Sequence, residues 1–140
     1  MADMTKPIPA IQRYMTTSPH TVGIEQTLAH AQDAMRTHSI RHLPVLHGGS
    51  LVGVVSQRDL ALIEGLKGVD AASMTVEDAM SNAVYSCSPD AALDEVVNEM
   101  AEKKYGCAVV MQNQKVVGIF TTVDVCKALS ELLHGRLAKS

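Results

Sequence analysis

A chain of 140 residues with nearly half of them apolar can bury a core, either as one domain or as two small joined halves. Its net charge of −3 offers no basic stripe of the kind that grips nucleic acid, and no apolar run approaches the length of a bilayer. Nothing signal-like opens the chain, and the three cysteines, Cys87, Cys107 and Cys126, form neither a metal-type pair nor an even disulfide set. The composition therefore predicts a soluble, reduced, cytoplasmic protein with neither nucleic acid nor membrane as a partner.

Residues 1–9, with Pro7 and Pro9 and no apolar periodicity, read as an N-terminal tail. Ile11 to Met15 predicts a short helical turn, and Thr21-Val22 a brief extended piece after Pro19. Leu28, Ala31 and Met35 share one face of a helix predicted over Thr27 to about Ser39. Leu43 to Leu46 predicts a short strand, Gly48-Gly49 a tight hairpin, and Leu51 to Val55 a returning strand. That strand is continuously apolar, which implies burial on both faces. At Ser56 it gives way to a helix over Gln57 to about Leu66, and Lys67 to Thr75 reads as a linker or a ragged helix end.

The pattern then restarts. A shift of 65 residues lays Ile11–Leu60 on Val76–Val125 without a gap. Identities are Met15/Met80, Leu28/Leu93, Met35/Met100, Val45/Val110, Val52/Val117, Gly53/Gly118 and Asp59/Asp124. They fall on expected core positions and on the strand-to-helix junction, so an internal repeat organises the chain. Repeat one covers 10–66, a linker 67–75, repeat two 76–133 and a C-terminal tail 134–140. In repeat two, Leu93, Val96, Val97 and Met100 make a helix face. Cys107–Met111 and Val116–Phe120 make a hairpin around Gln112-Asn113-Gln114, and a closing helix runs from about Thr122 to Leu133. The predicted fold class is α/β: two pseudo-two-fold-related repeats packed through their small sheets, with helices outside.

Each repeat carries a hydroxyl-x-x-Asp junction, Ser56/Asp59 and Thr121/Asp124. A carboxylate fixed at a helix start can accept two hydrogen bonds from a vicinal diol. The same spacing also makes a plain capping box, and both roles can hold at once. Gly53 and Gly118, inside strands, imply close approach of a ligand or another backbone, or crowding between strands. The six histidines, His20, His30, His38, His42, His47 and His134, lack clustered spacing, so no metal site is expected. Cys107 reads as a buried, inert thiol.

The order strand, helix, hairpin, strand ending in Gly-x-x-hydroxyl-x-x-Asp, helix, given twice, resembles a tandem pair of CBS domains, a Bateman module. The residues that carry the resemblance are Ser18–Val22, Ile40–Val45 and Gly53–Asp59, with Cys107–Met111 and Gly118–Asp124 in the second copy. It spans roughly residues 10 to 133, leaves no room for a catalytic domain, and implies a free-standing regulatory sensor rather than an enzyme. The resemblance implies binding of an adenosine-containing ligand (AMP, ADP, ATP or S-adenosylmethionine) in clefts between the repeats, and signalling by conformational change. It implies no required cofactor, an adenine nucleotide as regulatory ligand, a homodimer of modules, and a regulated partner protein that the sequence does not name. By that resemblance Ser56, Asp59, Thr121 and Asp124 meet ribose, while Arg41, His42 and Arg58 meet phosphate. Thr21, Val22, Ser86 and Cys87 line the base pocket. The plainer alternatives are solvated charges for Arg41 and Arg58, and edge-strand packing for the base-pocket residues.

Repeat two departs from this pattern. Gly106, Cys107, Val109 and Val123 stand where repeat one has Arg41, His42, Pro44 and Arg58. Unequal sites are therefore expected. Asp59's should prefer a phosphorylated ligand, and Asp124's should be weak, empty or suited to a less charged adenosine compound. The competing overall reading is a structural or protein-interaction dimerisation module with vestigial clefts.

Overall fold

In a computed structural model, residues 7–66 and 68–136 are described. The expected tails at 1–6 and 137–140, and Lys67 of the linker, lie outside the described residues. In chain order the elements are β1 (Thr16–Thr17), β2 (Val22–Gly23), α1 (Leu28–His38), β3 (His42–His47), β4 (Ser50–Ser56) and α2 (Gln57–Glu64). They continue as β5 (Ser86–Cys87), α3 (Leu93–Lys103), β6 (Cys107–Gln112), β7 (Lys115–Thr121) and α4 (Thr122–Arg136). A single 3-10 turn opens each repeat, at Ile11–Arg13 and at Val76–Asp78.

The chain divides into two compact units that do not follow the repeat boundaries. Among the described residues, one comprises Ser18–Val84 with Asn113–Val116, and the other joins 7–17 to Tyr85–Gln112 and to 117–136. The opening segment of each repeat thus belongs to the unit built on the other repeat.

In the Ser18–Val84 unit, the sheet runs β2-β3-β4, with Val22 opposite Val45 in parallel and His42 opposite Ser56 in antiparallel pairing. Gly48 and Gly49, at φ 57° and 84°, close the two-residue hairpin loop, a conformation that glycine adopts without steric cost. Leu28, Ala31 and Met35 of α1, Leu60 of α2, Leu43 and Val45 of β3, and Val55 of β4 form the core. The expectation for β4 needs correction: Gly53 and Val55 are buried, but Leu51, Val52 and Val54 are only half-buried. Val55 joins the core, and Val52 also packs against it.

The Thr27 hydroxyl caps α1 by accepting from His30 N at 3.1 Å. Leu28 N and Ala29 N, which have no partner within the helix, donate to Met74 O and Ala71 O. Part of the expected linker is therefore docked on the start of α1. Val76 enters the core, and Val54 and Ser81 then exchange backbone hydrogen bonds of 3.0 and 2.9 Å. A Cβ on Gly53 would lie 2.7 Å from Met80 Sδ and 2.8 Å from Ser81 O. What approaches this glycine is a backbone and a methionine.

The second unit repeats the device. Its sheet runs β1-β7-β6-β5, with Thr16 opposite Ile119 and Ser86 opposite Val109. Ile11 N donates to Ala91 O and Leu93 N to Pro9 O, which seats Ile11 in the core with Leu93, Val96, Met100 and Phe120. A Cβ on Gly118 would lie 2.5 Å from Met15 Sδ and 3.1 Å from Thr16 O. Both first helices stop at a left-handed residue, Ser39 and Lys104, after which Ile40 N and Tyr105 N reach back to Met35 O and Met100 O. α2 ends at Glu64, short of Leu66, while α4 runs past Leu133 to Arg136.

Candidate ligand site

At the end of β4, Ser56 stays extended (φ −111°, ψ 162°) and caps α2. Its Oγ accepts from Asp59 N at 3.0 Å, and Asp59 Oδ2 accepts from Ser56 N at 2.9 Å. The capping box is real, and it fixes the carboxylate at the helix start. It leaves chemistry unspent: the Ser56 hydroxyl keeps its proton, and among the described residues Asp59 Oδ1 accepts no hydrogen bond. Gln57 N donates to Arg41 O at 2.8 Å, tying the helix start to the residue before β3.

His42 is half-buried beside this junction, and its register partner is Ser56. Burial lowers its pKa below the ordinary 6.5; the Asp59 carboxylate opposes that shift and the Arg41 charge reinforces it. Arg58 lies exposed in the first turn of α2 and, among the described residues, joins no ion pair. Arg41 is also exposed, but it lines a groove between α1 and α2 together with Arg36 and Glu64. His42 is thus a basic group set against the strand-to-helix junction, and the Arg41 charge is close enough to act on it. Val22 is 2% exposed and packs in the core, so its side chain belongs to the interior, whereas Thr21 beside it is exposed.

At the second junction Asp124 is only 7% exposed. Its Oδ2 accepts from Thr121 N at 2.9 Å and from Thr121 Oγ1 at 3.2 Å. The Thr16 hydroxyl stands 3.5 Å from each of its two oxygens. Thr16 is a residue that sequence reasoning missed: the shift of 65 pairs it with another hydroxyl, Ser81, but no spacing ties it to Asp124. Ser81 behaves differently, its Oγ accepting from Ala83 N at 3.2 Å. Ser86 is exposed, and burial raises the pKa of the half-buried Cys87 thiol. Burial pushes Cys107, where repeat one has His42, up to about 12. Among the described residues no three His, Cys, Asp or Glu side chains converge to hold a metal ion.

The duplicated junction, the paired opening segments and the mixed sheets agree with a comparison against known families, in which the CBS domain profile matches twice, over residues 4–63 and 76–131. The chain belongs to the CBS domain family. This CBS pair is 31% identical to Hypoxic response protein 1 of Mycobacterium tuberculosis over 112 residues, 79% of this chain and 78% of that protein. Among solved structures, a Vibrio cholerae protein assigned to acetoin utilization (AcuB) is 31% identical, with a TM-score of 0.80 over 95% of this chain and 99% of that one. The CBS domain pair of protein MJ0100, solved with 5′-methylthioadenosine and S-adenosyl-L-methionine, gives 0.82 at 24% identity over 90% and 99%. CBSX2 in complex with AMP gives 0.78 at 22% identity over 89% and 98%. The last two likenesses concern the fold. No described helix is long and apolar enough to cross a membrane.

Proposed function

We propose that this CBS pair is a non-catalytic sensor that binds an adenosine-containing nucleotide at the Ser56/Asp59 junction. The observation that carries the reading is the half-exposed Asp59 carboxylate, held by its own helix cap with Oδ1 free and His42 beside it. A ribose diol donates to that carboxylate, the Ser56 hydroxyl donates to the sugar, and His42 with Arg58 faces the phosphate. Thr21 and the backbone of Val22 take the base. The adenosine compounds bound by the MJ0100 pair and by CBSX2 support this ligand class.

The Asp124 junction is the weaker site of the two. Its carboxylate is buried, engaged by Thr121 and Thr16, and has no basic companion on β6. Signalling is a population shift: phosphate on His42 and Arg58 favours whichever arrangement of β3 and α2 draws them together. A thermal-shift screen of AMP, ADP, ATP and S-adenosylmethionine tests the reading, because a ligand that binds only the folded state raises apparent stability. No shift with any of the four removes it.

A second reading, as a self-associating interaction module, draws on α4, which leaves Leu129 and Leu133 exposed one turn apart on one face. Adjoining exposed apolar side chains can mark a contact surface. Sedimentation that finds only monomer up to about the micromolar concentrations at which specific pairs form excludes it.

A further inference from the structure

The groove between α1 and α2, about 630 Å³, falls in the size range of small-molecule sites. Its floor is apolar, with Met35 and Leu60 only 4% and 2% exposed and Ile40 packed against the same core. Its rim is charged and underused. Arg41 and Glu64 are exposed and, among the described residues, in no ion pair. Arg36 meets only Asp33, in an exposed pair of the kind that contributes little. Gln32 lines the same groove, and its amide nitrogen is buried without an acceptor, which is uncommon for a buried polar group.

Repeat two supplies an internal control. By the shift of 65, the positions of Gln32, Arg36, Arg41 and Glu64 read Val97, Ala101, Gly106 and Leu129. The floor positions stay apolar or aromatic there, as Met100, Tyr105 and Val125. The same pair of helices is therefore built without any of the four polar groups, so packing does not require them. Two guanidinium groups and one carboxylate around an apolar floor match a zwitterion better than a dianion, which Glu64 would repel.

We propose that this groove binds a small α-amino acid with an aliphatic side chain, independently of the nucleotide site. Arg41 and Arg36 hold the carboxylate, whose geometry the guanidinium fork fits. Glu64 holds the ammonium, Gln32 finds its missing acceptor on the ligand, and Met35, Ile40 and Leu60 receive the side chain.

Methyl-labelled Met and Ile in the intact chain report the test by NMR. L-leucine titrated to about 10 mM, enough to load a millimolar site, shifts the Met35 and Ile40 methyl signals. 4-Methylpentanoate and isopentylamine, each carrying one of the two charges, bind about tenfold more weakly, the equivalent of about 1.4 kcal/mol. Glu64→Gln erases the preference for leucine over 4-methylpentanoate, and Arg36→Ala weakens both. Both residues are exposed, and an unchanged amide spectrum confirms that each variant folds. Three results overturn the proposal: methyl signals that leucine does not move, a preference that survives Glu64→Gln, or inorganic phosphate acting as strongly as leucine. AMP titrated in parallel, read at the Asp59 amide, keeps this outcome separate from that of the nucleotide site.

Discussion

The hydroxyl of Thr16 stands 3.5 Å from both carboxylate oxygens of Asp124 across 108 residues of chain. Its counterpart Ser81, paired with Val54 as Thr16 is with Ile119, turns its hydroxyl to Ala83 N instead. One difference in one hydroxyl thus leaves Asp59 with an acceptor to offer and Asp124 with little.

The two carboxylates should therefore differ in what they do for stability. Asp59→Ala removes the N3 partner of the capping box and leaves the Ser56 cap in place, so the expected loss is about 1 kcal/mol or less. Asp124 is 7% exposed, and Asp124→Ala strips the half-buried Thr121 N–H and hydroxyl of their shared acceptor, where an unmatched polar group costs about 1–3 kcal/mol. Urea unfolding should rank Asp124→Ala as clearly the more damaging change. Equal losses would contradict the burial argument.

Gly53 and Gly118 occupy equivalent positions, but alanine should not cost the same at both. At Gly53 the new methyl meets the Ser81 carbonyl oxygen at 2.8 Å as well as Met80 Sδ, so backbone must move. At Gly118 only the tip of Met15 lies closer than 3.0 Å, and a methionine side chain can give way. Overpacking costs typically about 1–3 kcal/mol, and Gly53→Ala belongs at the upper end of that range. Met15→Ala should rescue Gly118→Ala more fully than Met80→Ala rescues Gly53→Ala. A double-mutant cycle measures both couplings.

The repeat was legible because Met35/Met100, Leu28/Leu93 and Gly53/Gly118 serve a core and a crossing that both copies share. Apolar periodicity says that Ile11 and Val76 are buried, but not against which copy, so the exchange of opening segments left no local trace. The strand glycines were its only sign, and they admitted a ligand as readily as a backbone. Arg41 and His42 read as one basic pair from their adjacency, and in the fold the Arg41 charge does act on the His42 ring. What adjacency did not reveal is that Arg41 also lines the groove between the helices, while His42 is the register partner of Ser56. Thr16's bond to Asp124 was out of reach of any argument from spacing.

His42 gives the molecule a pH dependence whose sign can be worked out. Burial lowers its folded pKa beneath the unfolded 6.5, so the folded state binds fewer protons. That contribution is complete above about pH 6.5 and is lost as the pH falls through that value toward the folded pKa. The urea midpoint of the native chain should drop more steeply on acidification than that of His42→Asn. A phosphate held beside the ring favours imidazolium, so AMP binding near pH 6 should also take up more protons in the native chain than in the variant. Calorimetry in buffers of different ionisation enthalpy reads that difference, and identical uptake would remove His42 from the phosphate site.

Thiol labelling should follow exposure. Cys126 is exposed, whereas burial pushes the Cys107 thiol up to about 12, so it stays protonated at neutral pH. Disulfide-exchange reagents at neutral pH should modify Cys126 rapidly and Cys107 only at the rate of unfolding.

Isothermal titration of AMP into the native chain, Asp59→Asn and Asp124→Asn tests the central claim most directly. Loss of a charge-assisted bond to ribose should weaken binding to Asp59→Asn by about tenfold or more, as such bonds contribute about 1.5–3 kcal/mol. Asp124→Asn, in a chain confirmed to be folded, should bind as the native chain does. Affinity that survives in Asp59→Asn and disappears in Asp124→Asn would place the nucleotide at the other junction and contradict this account.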